Sequence, residues 1–366
     1  MNNPAAQITA SPTTTAPDPP DATIDVASVE DVADVVVTPG VRVLRVERGP
    51  DPALLVRRGD RVTRLRGEGV IDFVLALLQM SENGTVPLGT LGSVPAPQAA
   101  AIRTMLDELT KADLVLDPEV GDAVRTATPT ARALWNRCGR AVSASTIDDR
   151  LSAANVLVLG RDPLAARLAA TLSRSAIAVT RAADLDTIEP SDRPTDGWTA
   201  AVVVGRGEDD PLFDRWNKQA LETGTPWWAV LPHDGLRATV GPFVIPGASA
   251  CWRCFVLRRA ANFPDRTLVD DLAGASGSSP DTLPAATPGV EQVQTGILVE
   301  QALDRFGLAE LSGAATPGAV NLVEVDGSGV HVTGHRVLRV PRCPVCSPAA
   351  GRGLPQVWYH GEAVAR

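Results

Sequence analysis

Apolar residues enter the first part of the chain in short alternating runs. Val41–Val46, Leu54–Arg57 and Arg61–Leu65 are β-prone and are parted by Gly49-Pro50-Asp51-Pro52 and Gly59-Asp60, residues that favour turns, so the pattern predicts a three-stranded meander. The period then lengthens. Val70–Gln79 is a mostly apolar run of helical length and Leu88–Leu91 fits a short second helix. Pro97–Lys111 sets Ile102, Met105, Leu106 and Leu109 three or four apart, the spacing of one helical face. Leu114–Leu116 returns as a strand. Strands, three helices and a closing strand predict a winged helix-turn-helix domain over residues 36–120.

From 121 to 152 the periodicity weakens, and one helix around Ala131–Cys138 is all it predicts, so this stretch reads as a connection. A second domain follows over 153–350. Asn155–Leu159 is an apolar strand ending in Gly160 and feeding a helix that starts near Pro163, where proline suits the first turn. Ala176–Val179, Ala200–Val204 and Trp227–Leu231 add strands that alternate with helical stretches such as Leu212–Glu222. That order predicts an α/β fold, a parallel sheet with helices on its faces. Gly274–Gly289 is too rich in small residues and proline to pack and reads as a mobile crossover loop. Glu291–Phe306 then reads as a helix, Ala319–Val325 and His331–Val340 as late strands, and 351–366 as a C-terminal tail.

Composition narrows the function. A chain of 366 residues, 44% apolar and 21% charged, has material for two ordinary cores. Residues 1–35 are rich in Pro, Thr, Ala and Asp and lack the basic and apolar regions of a signal peptide, so they read as a disordered arm. No run reaches the roughly 18 apolar residues of a membrane span, and the expected location is the cytoplasm. A formal charge of −9 and a pI near 5.1 argue against nucleic acid as the main partner. The basic charge is nonetheless gathered in one place, with eight arginines between Arg42 and Arg66. Such a patch suits an acidic peptide as well as a nucleic acid.

Four of the five cysteines fall in two Cys-x-x-Cys knuckles, Cys251/Cys254 and Cys343/Cys346, separated by 88 residues. Each knuckle can offer two sulfurs to one metal from a single turn, and two knuckles complete the closed tetrahedral shell of a structural zinc. In a reducing compartment this reading stands ahead of redox-active dithiols or unrelated buried cysteines. Cys138 is left over and reads as a small buried apolar residue. The βα turn that begins at Gly160 has one glycine, with Asp162 to repel a phosphate and Pro163 lacking an amide donor, so ATP is not expected there. Asp184 and Asp186, after the second strand, could touch a ribose or a magnesium ion, and an exposed acidic loop explains them equally well. His233, His331, His335 and His360 stand in no metal- or triad-like spacing.

The order of these parts resembles a known family. A winged-helix module, a Gly-led βα turn, Cys251-Trp252-Arg253-Cys254 followed by Arg258 and Arg259, and the terminal Pro341-Arg342-Cys343-Pro344-Val345-Cys346 are similar to the ThiF-like (ocin-ThiF-type) leader-peptide-binding proteins of thiazole/oxazole-modified microcin cyclodehydratase systems. The resemblance implies a peptide-recognition domain joined to a Rossmann-type α/β domain of the ThiF and ubiquitin-activating-enzyme kind, with zinc on Cys251, Cys254, Cys343 and Cys346. It also implies that a precursor's leader peptide adds as a strand between Arg61–Arg66 and Pro97–Lys111. The contacts would then come from Arg61, Val62, Thr63, Arg64, Leu65 and Arg66 on one side and Ile102, Arg103, Met105 and Leu106 on the other. Gly160 and Asp184 would be vestiges of a nucleotide site. On this view the chain has no catalysis of its own and presents the leader to a YcaO-type cyclodehydratase that uses ATP to form azolines, with homodimerisation left open. Two alternatives stand beside it. One is a ThiF-type enzyme that adenylates a peptide carboxylate. The other is a winged-helix DNA-binding regulator, disfavoured because Pro97–Lys111 carries only Gln98, Arg103 and Lys111 for a recognition face.

Overall fold

The computed structural model describes residues 7–8, 26–28, 34–46, 52–88, 93–161, 163–262, 286–348 and 350. They form two compact units, Met1–Ser145 and Thr146–Arg366.

In the first unit, β1 (Gln7–Ile8) and β2 (Val26–Ser28) are followed by β3 (Val35–Val36) and the meander β4 (Arg42–Val46), β5 (Ala53–Arg58) and β6 (Arg61–Arg66). Helix α1 (Glu68–Gln79), β7 (Thr85–Val86), β8 (Ser93–Pro95) and α2 (Ala96–Lys111) come next. The sheet order is β1-β6-β5-β4, with the meander antiparallel and β1 parallel to β6. Leu54 and Val56 of β5 point inward beside Leu65 of β6. They meet Ile71, Val74 and Leu77 of α1, spaced three apart on one helical face, and Leu106 and Leu109 of α2. Two small pairs, β2 with β8 and β3 with β7, complete the strands. The strand expected at Leu114–Leu116 is reduced to one bridge, Val115 with Val37. Of the helix expected over Leu88–Leu91, residues 89–91 lie outside the described residues, as does most of the arm over 1–35.

The stretch 121–152 holds more helix than its periodicity predicts. α3 (Pro118–Thr126) and α4 (Pro129–Arg137) each begin at a capping side chain followed by proline. Asp117 accepts from the Glu119 amide and Thr128 from the Ala131 amide. α5 (Ala144–Ser152) follows. Arg58 donates to Asp113 at 2.5 Å and to Asn136 at 2.7 Å, and Arg140 pairs with the same aspartate while lying over the Trp135 ring. Arg58 therefore serves the fold, unlike the open basic surface its sequence neighbourhood suggests.

The second unit is built on β9 (Asn155–Leu159), α6 (Pro163–Ser173), β10 (Ala178–Ala182), β11 (Ala200–Val204), α7 (Pro211–Thr223) and β12 (Trp227–Leu231). These strands are parallel, in the order β10-β9-β11-β12. The sheet does not stay parallel, however. β13 (Arg237–Val244), β14 (Ala319–Asp326) and β15 (Gly329–Arg336) continue it antiparallel, so the sheet is mixed and seven-stranded. β12 turns into β13 through Asp234, whose carboxylate accepts from the amides of Leu236 and Arg237. The Gly241-Pro242 pair inside β13 reads as a breaker in sequence, which is why that strand was not expected. Of the crossover loop expected over 274–289, residues 274–285 lie outside the described residues.

α8 (Trp252–Ala260) and α9 (Pro288–Leu308) cover the sheet. Phe213 and Trp252 stack with centroids 4.1 Å apart beside Trp227, and Trp228 stacks on Phe243 at 4.2 Å. α9 also buries polar groups, and most of their atoms find partners, the Gln294 Oε1 excepted among the described residues. Gln294 donates from Nε2 to the carbonyls of Leu231 (2.7 Å) and Thr239 (3.0 Å), and Trp228 donates to Gln301 at 3.1 Å. Among the described residues no helix is long and apolar enough to cross a membrane.

Replacing Gln294 with leucine keeps the volume and removes both donors, leaving the two carbonyls without that partner in a dry interior. The expected cost is about 2–4 kcal/mol, read as a lowered urea midpoint with an unchanged slope.

Candidate functional site

Ala250 and Cys251 stand at the start of α8, and Cys251 is its N-cap residue. The first turn of the helix brings Cys254 back beside it, with Sγ–Sγ 3.8 Å. Asn217 fixes the entry by accepting the Trp252 amide at 3.1 Å, and Trp252 is held in the aromatic stack. The second knuckle arrives from beyond β15. Cys343 lies 3.8 Å from Cys251 and Cys346 lies 3.5 Å from Cys254, sulfur to sulfur. All four sulfurs fall within 4.8 Å of one another, and three of the four residues are buried.

These spacings test the zinc reading directly. A metal at about 2.3 Å from each of four tetrahedral sulfurs sets them about 3.8 Å apart, whereas a disulfide needs about 2.05 Å. The sulfurs are free thiols spaced as a tetrathiolate cage, so the residues present fit zinc. The Val340 amide donates to Cys254 Sγ at 3.3 Å. Arg339 bridges the carbonyls of Gly247 (2.7 Å) and Cys346 (3.1 Å), while Arg258 donates to the carbonyls of Leu338 and Arg339. The two arginines thus tie the second knuckle to the α8 side by groups that are not sulfur. Burial pushes the Cys251 thiol well above its ordinary range and lifts Cys346 to about 11. Cys343 goes the other way, since hydrogen bonds from the Cys346 and Val345 amides outweigh its burial. Four thiolates in one pocket require a cation, and a divalent metal would supply that charge.

Gly160 and Asp184, expected as vestiges of a nucleotide site, stand at the C-terminal ends of β9 and β10, where open α/β sheets bind ligands. Gly160 has φ 138°, and a Cβ there would stand 2.5 Å from the Val204 carbonyl oxygen. Its glycine is required by the close approach of β11. Asp184 caps a short turn by accepting the Leu185 amide, and Arg215 pairs with Asp184 at 2.8 Å and with Asp186 at 2.9 Å. Sequence reasoning missed Arg215, whose spacing from the aspartates carries no local signal. Asp162 lies outside the described residues.

In the first unit the ten expected peptide contacts are divided. Arg61 and Val62 are exposed, and Thr63, Arg64 and Arg66 are half-buried. Leu65 and Leu106 are core residues at 1% and 8% exposure. On α2, Arg103 is exposed and Ile102 and Met105 are half-buried. α2 packs against β2 and β8, and β6 against β5, β1 and α1. Arg103 and Leu106 line a hollow of about 490 Å³ with Val35, Lys111 and residues 115–118. Arg64 has its Nε buried with no hydrogen-bond partner among the described residues.

One further grouping looks like chemistry and is not. Ser328 and His331 both reach Asp326 at the tip of the β14–β15 hairpin, but all three are exposed and both contact the same carboxylate oxygen. The Ser328 hydroxyl, with its amide, holds the Asp326 carboxyl down at about 2.

No family model matches the chain, and no curated protein matches it by sequence. Its fold is shared with solved structures. A heterocyclase in complex with substrate and cofactor aligns over 86% of this chain and 40% of its own, with TM-score 0.55 and 17% identity. The heterocyclase TruD aligns over 90% and 46%, with TM-score 0.55 and 18% identity. MccB of E. coli with SeMet MccA aligns over 86% and 100%, with TM-score 0.50 and 13% identity. The chain spans less than half the length of the two heterocyclase chains it matches. At such identities the likeness is one of fold.

Two outcomes follow. The purified chain carries one zinc per molecule by elemental analysis. Cys343→Ser lowers that content and costs on the order of several kcal/mol of stability, and acidification releases the metal as protons compete for the thiolates. At the hairpin, Asp326 has a folded pKa below its unfolded one, so its contribution to stability is present above pH ~4 and lost as pH falls through about 2. Ser328→Ala brings its NMR titration midpoint back toward about 4.

Proposed function

We propose that this chain captures the leader of a ribosomally made precursor peptide on the outer edge of β6 and presents it to a YcaO-type cyclodehydratase for azoline formation. On this reading the first unit is a winged helix-turn-helix recognition module and the second a ThiF-like scaffold pinned by zinc. The observation that carries it is β6 itself, an arginine-bearing strand whose outer side, among the described residues, is paired at Arg64 and Leu65 alone, by this chain's own Gln7 and Ile8. Edge strands offer unpaired amides and carbonyls to an extended peptide, and flanking side chains supply selectivity. The likeness in fold to heterocyclases over 86–90% of the chain supports the setting.

The contacts then differ in kind along β6. Arg61, Val62, Thr63, Arg64 and Arg66 present side chains at or near the surface, while Leu65 offers its backbone because its side chain is in the core. Arg103, Ile102 and Met105 present the other wall, with Leu106 behind them. Nucleotide handling belongs to the partner enzyme in this reading. Asp184 is engaged by Arg215, and Gly160 serves strand packing. The adenylating alternative would need Asp184 released from that pair.

A fluorescent peptide carrying the leader of the cognate precursor is expected to bind the isolated chain at roughly 1–10 µM, about −7 to −8 kcal/mol. Arg61→Glu/Arg64→Glu weakens it at least about tenfold, and the isolated chain gives no pyrophosphate exchange. Absence of binding at 100 µM, or exchange that depends on Asp184, overturns the proposal.

A further inference from the structure

The outer edge of β6 is already in use. Gln7 pairs with Arg64 and Ile8 with Leu65 in a parallel ladder, so a segment of this same chain lies along the edge proposed for the incoming peptide. The ladder is short. β6 runs from Arg61 to Arg66, all of it paired on its inner side with β5. On its outer side only Arg64 and Leu65 have a strand partner among the described residues. The acidic residues of the arm, Asp18, Asp21, Asp25, Glu30, Asp31 and Asp34, all lie beyond the pairing residues, and residues 1–17 have no charged side chain, so the backbone ladder and not charge seats Gln7 and Ile8 on β6.

We infer that residues 7–8 are a resident strand that closes the β6 edge in the free protein, and that an incoming acidic peptide gains the edge only by displacing them. This rests on the reading of β6 as a peptide-binding edge and adds its regulation. The physics follows from competition within one molecule. A covalently attached segment acts at an effective concentration on the order of mM. A two-residue ladder makes few backbone hydrogen bonds, each of modest net strength, so it lowers apparent affinity without abolishing it. The apparent dissociation constant rises by the inverse of the fraction of molecules with the edge open. A factor of about ten is the expected scale for so short a ladder. The device also shields an edge that would otherwise pair with any extended chain, a standing hazard for open strands.

The test compares the full chain with one lacking residues 1–20, which retains β2 and its pairing with β8. Amide hydrogen exchange over 61–66 is expected to quicken about tenfold on truncation, with zinc content and far-UV circular dichroism unchanged. A fluorescent peptide of residues 1–20 is expected to bind the truncated chain about tenfold more tightly than the full one. The same peptide carrying Gln7→Pro/Ile8→Pro, which removes both amide donors, is expected not to bind. Equal exchange in the two chains, or no binding of the arm peptide to the truncated chain at 1 mM, overturns the inference. The leader peptide separates this outcome from the preceding reading. Leader binding that is equally tight to both chains overturns displacement alone, whereas failure of the leader on the truncated chain overturns the leader reading and leaves occupancy by residues 7–8 to be judged by the arm peptide.

Discussion

The second unit depends on four sulfurs held within one cage. Cys251 and Cys254 begin α8, and Cys343 and Cys346 arrive 92 residues later on a segment with no strand or helix of its own. That segment has little apolar surface to bury. Val337 and Val340 pack at the cage, while Leu338 and Val345 are exposed. Hydrophobic burial would hold it weakly, and a closed metal shell on the four cysteines would take the place of the missing core. By analogy with a disulfide closing a loop of similar length, such a cross-link removes chain entropy worth on the order of 4–5 kcal/mol from the unfolded state. Arg258 and Arg339 aim the knuckle, but their contacts are to backbone carbonyls at an exposed surface and are worth far less.

The arginines show how a single local composition can serve separate tasks. Eight of them lie between Arg42 and Arg66, and sequence alone treats them as one patch. Arg58 is drawn inward to Asp113, which Arg140 also holds, and this fastens the meander to the residues after α2 and to α4. Arg61 and Arg64 stay on β6, where strand alternation turns successive side chains to opposite faces. Which arginine is structural follows from the position of its partner 55 residues away, and no short-range pattern encodes that.

What could be read in advance was what is local or chemically exclusive. The two knuckles were legible because thiolate pairs at that spacing have few other uses. The meander, α1, α2 and the strands from β9 to β12 were legible from period alone. The mixed character of the sheet was not, since Gly241 and Pro242 hide β13 behind residues that ordinarily end strands. The helix expected around Ala131–Cys138 is α4, but α3 and α5 were missed, although Asp117-Pro118 carries the start signal of α3. Each of the two is only nine residues long with few apolar positions, so periodicity failed, and at α3 capping chemistry would have succeeded. Leu65 and Leu106 were placed among the candidate contacts because they sit on the right elements, and only packing reveals that they face the core.

The carboxyl ends of the parallel strands bear on the proposed division between presentation and nucleotide chemistry. An active crevice at that position needs polar groups whose hydrogen-bonding capacity is reserved for a ligand. Among the described residues, several such groups are engaged internally. Asp184 accepts the Leu185 amide and pairs with Arg215, whose guanidinium also grips Asp186. Glu208 pairs with Arg259, a half-buried arginine that burial alone pulls below its ordinary range. Asp210 caps α7 through the Leu212 amide and also accepts the Arg206 amide. Gly160 admits β11 so closely that a methyl group would strike the Val204 carbonyl. A phosphate arriving there would compete with these pairs for Arg215, whose bond to the exposed Asp186 is screened by solvent and individually weak. In the proposed function, a sheet end tied up in this way serves as a scaffold on which a peptide is held for another enzyme's chemistry.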